Sequence, residues 1–287
     1  MGKANLVLFW AIQSTALLAF VYPPTPALIL LAMVSHYVRM IGITLCFHRH
    51  MAHRAFSLSR SVRFIFAWLG TSALQKGPLW WAGNHVYHHK YADREGDPHS
   101  PVVSGFFYSH MGWFTNDIQW DNVDAANPVV REFSKYPEIR WLDHYYAWPP
   151  LLLAAALFLI GGWPALVYGF CVPTFTLAHS TFAINSINHL FGSRRFNTPD
   201  NSRNNFWTTL VTLGEGWHNN HHRFQRAARN GFFWWEIDPT YWVIRALSAV
   251  GLAREIVPVP PRVYDEARTG KPRPASAVPA SIEGLTA

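Results

Sequence analysis

Charge is scarce in this sequence. Only 14% of its 287 residues are Asp, Glu, Lys or Arg, where an average soluble domain carries about 25%, and half are hydrophobic. That composition excludes an ordinary soluble enzyme. Cysteine is nearly missing as well: two residues exclude a disulfide scaffold and a cysteine-based zinc module. Acids number 17, barely more than the 15 histidines, and an apolar chain gains nothing structural from so many imidazoles. The missing charge asks for a topological explanation and the histidines for a chemical one.

A membrane span needs about 20 apolar residues to cross roughly 30 Å of hydrocarbon. Four stretches serve: Leu6 to Tyr22; Ala27 to Phe47, after Pro23-Pro24-Thr25-Pro26; a third centred on Leu151 to Ile160, long enough if its helix begins near Leu142; and Ala165 to Ser186, after Gly161-Gly162-Trp163-Pro164. The expected fold is therefore an all-α integral membrane protein. Four transmembrane helices in two hairpins (6–22, 27–47, 142–160, 165–186) carry a helical cap (48–141 and 187–262), followed by a disordered tail over 263–287. The connections 23–26 and 161–164 hold no charge. Arg49, Arg54, Arg60 and Arg63 follow the second span with no acid between them, and Arg194, Arg195 and Arg203 follow the fourth with only Asp200. The positive-inside rule then places both termini and the cap in the cytoplasm of a multi-pass protein, as in a bacterial inner membrane. The net charge of +7 largely records that orientation, and nucleic acid is a poor partner for such a chain. A cleaved signal peptide over 1–22 is disfavoured, since no small-residue cleavage pattern precedes Tyr22-Pro23. Residues 61–74 are apolar but too short to span, and suit an interfacial or buried helix.

Three histidine clusters fall in the polar regions: His48-Arg49-His50-Met51-Ala52-His53, His85-Val86-Tyr87-His88-His89 and His218-Asn219-Asn220-His221-His222. The last two share H-x-x-H-H. At about 100° per residue, positions i, i+3 and i+4 lie on one helix face about 100° wide. His48 and His53 differ by about 140° on a regular helix, so they serve different metals or the helix ends between them. Imidazole suits Fe, Zn, Cu or Ni. Eight histidines exceed the needs of one ion, so two metals are the natural count, and a thiolate-free set points away from structural zinc.

This combination resembles the membrane fatty acid desaturases, specifically the acyl-CoA (stearoyl-CoA, delta-9) branch. The resemblance runs from about Ile41 to Trp242. It includes Gly42-Ile43-Thr44 before His48-Arg49, Trp81-Ala82 before His85, Asp97-Pro98-His99, and Gly105-Phe106-Phe107-Tyr108-Ser109-His110-Met111-Gly112-Trp113. Asn185-Ser186-Ile187-Asn188-His189, Gly214-Glu215-Gly216-Trp217-His218-Asn219, Arg229-Asn230-Gly231 and Asp238-Pro239-Thr240 continue it. It implies two Fe²⁺ ions held by His48, His53, His85, His88, His89, His189, His218, His221 and His222, with Asn185 ligating through water; Asn185 and His189 stand i and i+4. It also implies a bent acyl tunnel at Gln75, Trp81 and Thr181, with Trp80, Trp113 and Trp120 open between tunnel and interfacial belt. Glu215 is either an acceptor behind a ligating imidazole or an ordinary surface carboxylate. The remaining histidines, His36, His50, His99, His110, His144 and His179, are read as structural.

The implied reaction is O₂-dependent removal of two hydrogens from adjacent methylenes of a saturated acyl chain, leaving a cis double bond and two waters. The two electrons come from a separate ferredoxin, rubredoxin or cytochrome b5 type protein. Acyl-CoA is the favoured carrier, with acyl carrier protein or phospholipid-linked chains open. One departure bears on this: animal members carry an Arg-Asp pair before the second cluster that helps hold CoA, and Gly83-Asn84 stand here. A lipid hydroxylase of the same architecture is the alternative. A non-enzymatic metal binder or transporter is remote, because the histidine clusters lie outside the spans.

Overall fold

The computed structural model describes residues 3–116 and 123–270; Trp120 and 271–287 lie outside them. Helix α1 (Lys3–Ser14) runs on as a tighter turn, Thr15–Phe20. Helix α2 (Pro26–Ile41) starts where Thr25 Oγ1 accepts from Leu28 N at 3.3 Å, with Pro26 in the first turn, where a missing N–H costs nothing. Gly42–Ala52 continues it as a π-helix, so that Pro26–Ala52 is one apolar rod of 27 residues. The α part alone rises about 24 Å, which carries His48 towards the end of a bilayer-sized span. Helix α3 (Arg60–Thr71) is the short apolar helix expected from the sequence, and it crosses the rod at Gly70. A Cβ on Gly42 would lie 2.1 Å from Gly70 N. Backbone faces backbone there, so Gly42→Ala is expected to cost roughly 1–3 kcal/mol of stability or more, read as a lower unfolding temperature of the purified protein.

The second long apolar helix, Trp148–His189, is broken at Gly161 and Gly162; the latter has φ 63° and ψ −155°, a conformation side chains resist. Its arms, within α5 (Trp148–Leu166) and α6 (Val172–Ser186), fold back so that Gly169 packs on Leu157 and on Leu31 of α2. Among the described residues these two helices are long and apolar enough to cross a membrane, and Leu6–Phe20 is apolar but shorter. Phe20, Leu159 and Ile160 are more than four-fifths exposed, an outer surface that water would not favour. Arg39 lies inside this apolar layer, where Nη2 donates to Ser72 O at 2.7 Å and Thr174 Oγ1 at 2.8 Å.

Two expectations need correction. The third helix does not begin near Leu142: Pro137–His144 is separate, Tyr145 (φ −102°, ψ 40°) leaves the helical region, and α5 starts at Trp148 with prolines in its first turn. Nor is the chain disordered from 263. Pro261–Thr269 is helical, Val263 is buried with Phe196 and Phe232, and Arg223 Nε donates to Glu266 Oε1 at 2.9 Å. One apolar contact and one ion pair outweigh the Pro-, Ala- and Ser-rich bias of the C-terminal sequence.

The core sits where the C-terminal part of the rod meets the helices that follow it. Met40, Ile43, Leu45, Phe47 and Met51 of the rod pack with Ala67, Leu79, Ala82, Ile139, Leu142 and Ile244. Strands β1 (Ser57–Leu58) and β2 (Ala253–Arg254) pair antiparallel and tie the segment after the rod to the C-terminal part of the chain.

Candidate metal centre

Helix α4 (Pro78–Tyr91) carries the second histidine cluster, and Asp143 Oδ1 accepts from its early N–H groups at Leu79 and Trp80, at 2.8 and 3.1 Å. Helix α7 (His218–Arg223) carries the third. Nine histidines converge from these elements in two groups: His48, His53, His85, His89 and His221, and then His88, His189, His218 and His222. Within each group the nearest ring nitrogens all lie within 4.8 Å of one another. Neither H-x-x-H-H cluster belongs to one group. His85 and His89 of α4 enter the first and His88 the second; on α7 the allocation reverses, with His218 and His222 in the second and His221 in the first.

His48 and His53 share a group although a regular helix would splay them. The π-helix resolves this: His53 N donates to His48 O at 3.1 Å, an i to i−5 bond. One turn of this wider helix takes about five residues rather than 3.6, so the two rings come to the same side, 4.7 Å apart.

Behind the rings stand carboxylates. Nδ1 of His48 lies 2.8 Å from Glu215 Oε2, that of His88 2.9 Å from Asp97 Oδ1, that of His189 2.8 Å from Asp93 Oδ2 and that of His222 2.9 Å from Asp200 Oδ2. Glu215 is buried between His48 and Arg49, whose Nη2 lies 2.9 Å from its Oε1, and Asn230 Nδ2 donates to it at 2.7 Å. Burial would raise the Glu215 pKa, but Arg49 and His48 hold it below the ordinary range. Asp93 is likewise held at about 2 against its burial, chiefly by His189. Gly214 lets the chain before Glu215 pass close to Arg49 and Asp238, since a Cβ there (φ +118°) would lie 2.5 Å from Asp238 Oδ1 and 3.1 Å from Arg49 Nη2. The sequence gives no role to Asp93 or Asp200, and offers Asp97 only as part of a matched motif. The available signal was scarcity, because in a chain with 17 acids those beside histidine clusters have few other duties.

Burial pushes His53, His85, His89, His218 and His221 well below their usual pKa, so these rings are neutral. His88 is raised instead: burial opposes its charged form, but Asp97 outweighs it. A ring whose Nδ1–H donates to a carboxylate turns a lone pair inward at Nε2. The Nε2 atoms of His88 and His222 have no hydrogen-bond partner although buried. In the first group the Nε2 atoms form a chain, His48 to His221 at 3.1 Å, His221 to His89 at 2.9 Å, His89 to His85 at 2.9 Å and His85 to His53 at 2.9 Å. His189 and His218 face each other likewise at 3.0 Å. Metal–nitrogen bonds of about 2.1 Å at right angles put neighbouring donors about 3 Å apart. The donor sets therefore fit two imidazole-liking ions, and a cation in each would remove the repulsion between facing lone pairs.

A cavity of about 640 Å³ leads to this cluster, well within the roughly 300–1,000 Å³ of small-molecule sites. It is lined by apolar and aromatic side chains including Leu8, Phe9, Trp80, Trp113 and Phe182, and Trp81, His85, Thr181 and Asn185 line both it and a smaller space beyond, bordered by Met40, Ile43, His88 and His218. Gln75, Trp81 and Thr181 form one hydrogen-bonded unit there: Gln75 Nε2 donates to Thr181 Oγ1 at 2.7 Å, and Trp81 Nε1 donates to Gln75 Oε1 at 3.1 Å. Asn84 borders the cavity, its amide donating to Trp80 O at 3.0 Å.

The other histidines belong to neither group, although His99 lies with His88 and Asp97 in a further set of close donors. His36 bonds Thr176 Oγ1 and Val211 O at 3.0 and 2.9 Å, and His110 bonds His179 and Ser186 at 3.0 and 2.9 Å. His99 stacks on His88, with ring centroids 4.4 Å apart, and His144 is exposed. His50 Nδ1 bonds Phe56 O at 2.9 Å, and Arg63 Nε donates to its Nε2 at 3.2 Å. His50→Ala is therefore expected to cost about 1–3 kcal/mol of stability through unpaired neighbours, while activity per folded molecule stays within about twofold. A loss matching that of His48→Ala would contradict this division.

The site thus belongs to a helical protein with paired histidine clusters at the end of an apolar cavity. The fatty acid desaturase family model matches residues 23–254, and the chain belongs to that family, whose members are oxidoreductases of lipid metabolism. An icosanoyl-CoA 5-desaturase of Limnanthes douglasii is 44% identical over 218 residues, covering 76% of this chain and 61% of the relative. An sn-2 palmitoyl-lipid 9-desaturase of Nostoc sp. (strain 36) is 38% identical over 260 residues, 90% of this chain and 91% of the relative. An sn-1 stearoyl-lipid 9-desaturase of Synechocystis sp. is 39% identical over 223 residues, 75% and 67% of the two chains. The chain spans about three fifths of the length of the Limnanthes relative and of a chloroplastic desaturase of Arabidopsis thaliana.

Proposed function

We propose that the protein is an O₂-dependent fatty acyl desaturase that introduces a cis double bond at the delta-9 position. The observation that carries this reading is the meeting of two imidazole groups with an apolar cavity at Trp81, Thr181 and Asn185. The Nostoc and Synechocystis relatives, both 9-desaturases by name, support the position.

The nine histidines would hold two iron ions, with Asn185 beside them as a water-mediated ligand. The bound iron pair supplies the O₂ chemistry that breaks two unactivated C–H bonds. Overall, –CH₂–CH₂– with O₂, two electrons and two protons gives –CH=CH– and two waters, the electrons coming from an external one-electron carrier protein. The protein's own part is placement. An acyl chain offers no polar handle near its reacting carbons, so position follows from how far it threads past the Gln75–Trp81–Thr181 unit. The aromatic lining keeps water away, and the four carboxylates hold the imidazoles in the tautomer that ligates. Four spans in two hairpins, with both termini and the cap in the cytoplasm, place this centre at the membrane surface within reach of the carrier.

The test is expression in a desaturase-deficient host fed saturated C16 or C18 acids, with mass-spectrometric location of the new double bond. A cis alkene at carbon 9 is expected. Hydroxy acids without new alkenes would instead establish the hydroxylase alternative.

A further inference from the structure

The two histidine groups are unequally supplied with negative charge. In the second group His88 stands on Asp97, His189 on Asp93 and His222 on Asp200, each Nδ1 within 2.9 Å of an oxygen, and the three carboxylates are buried. The other groups that donate to them are uncharged. Asp93 accepts from Ser100 Oγ at 2.6 Å and Asn201 N at 2.7 Å, Asp97 from the N–H groups of Asp93 and His99, and Asp200 from Thr198 Oγ1 at 3.1 Å and Ser202 N at 2.9 Å. Three full negative charges therefore back four rings.

The first group is built otherwise. Among the described residues, His48 alone of its five rings is placed on a carboxylate, with Nδ1 2.8 Å from Glu215 Oε2, and the other oxygen of that carboxylate lies 2.9 Å from Arg49 Nη2. Arg49 also meets Asp238 at 2.9 Å, so this network carries one net negative charge. The Nδ1 atoms of His89 and His221 are buried without a hydrogen-bond partner. A carboxylate behind an Nδ1–H makes the ring a stronger donor, and its charge, little screened when buried, favours added positive charge beyond the ring. The fifth ring of the first group works the other way, because a further donor also favours the higher oxidation state. A neutral imidazole offers a dipole, however, where the two extra negative charges of the second group offer a Coulomb attraction that falls off more slowly with distance. Charge decides the balance.

We propose that the two metal positions are redox-inequivalent: Asp93, Asp97 and Asp200 lower the reduction potential of an ion held by His88, His189, His218 and His222 below that of an ion held by the other five histidines. This rests on the two-iron reading of the site. The aspartates act through the rings and touch neither ion. In a centre with both ions ferric, the first electron converts Fe³⁺ to Fe²⁺ at the first group and a second electron does the same at the second. The half-reduced centre is then ferrous beside His48 and ferric beside His222.

The test is a mediated dithionite titration of the purified full chain in detergent, loaded with Mössbauer-active iron and followed by Mössbauer spectroscopy. Two one-electron steps about a hundredfold apart in equilibrium constant, roughly 120 mV, are expected, with equal ferrous and ferric signals between them. Asp200→Asn is expected to raise the lower step about tenfold, roughly 59 mV, and so narrow the gap, whereas Glu215→Gln raises the upper step and widens it. Asp93→Asn, behind a different ring of the same group, should repeat the narrowing and guards against one variant that fails to load. A single two-electron step in the wild type, or a gap that widens in the two aspartate variants, would overturn the proposal while leaving two bound irons in place. Purified protein that holds no iron pair would sink the two-iron reading as well.

Discussion

Replacing His88 or His221 with alanine is expected to reduce alkene formation by more than about a hundredfold, with full-length protein still present in the membrane fraction. The two residues sit in different groups, one from each H-x-x-H-H cluster. Each change removes one inward nitrogen from a set of four or five and leaves a gap no neighbour can close, because the surrounding rings are fixed by carboxylates or by one another. The loss should exceed the roughly 10–100-fold typical of changes behind the ligands. Metal analysis supplies the second readout: content per chain should fall from two towards one or none. A variant that keeps both its metal and its activity would contradict the proposed ligand set.

Asp97→Asn is expected to lower iron affinity or activity by about 10–100-fold without removing a ring. Asp97 accepts His88 Nδ1–H at 2.9 Å, Asp93 N at 2.8 Å and His99 N at 3.0 Å. An amide of the same size has one acceptor oxygen, so its NH₂ must face at least one of these N–H groups. The carboxylate's pKa is held far below its usual range, against the effect of burial, by His88, so the wild type presents two acceptors at any working pH. Partial recovery of activity in excess Fe²⁺ would separate a weakened site from a misfolded one. Full activity without added iron would show that Asp97 does not orient His88.

How much of this was legible depends on what each residue type signals. The convergence of His85, His88, His89, His218, His221 and His222 could be read from spacing, because i, i+3 and i+4 share a face on any α-helix. That each cluster divides between two groups could not, since the division depends on how α4 and α7 are set against each other. The placement of His48 with His53 was hidden for a different reason. Five-residue spacing looks wrong for a helix until the backbone adopts i to i−5 bonds, and no local residue preference announces a π-helix. The positions of Gln75, Trp81 and Thr181 came from family resemblance, and only their hydrogen bonds reveal them as one unit. The start of α5 was misplaced because the length a span needs drew it back to Leu142, past the prolines at 149 and 150 that reset the helix. Val263 and Glu266 were lost in a compositional average.

The crossed allocation of the two H-x-x-H-H clusters also bears on how the centre would be assembled. Since α4 and α7 each donate to both groups, the first ion to bind would fix the orientation of helices that the second also requires, and so would bear most of the ordering cost for both. Occupancy at the two positions would then be linked. Under limiting metal, a population of chains should divide into empty and doubly loaded molecules, with few holding a single ion.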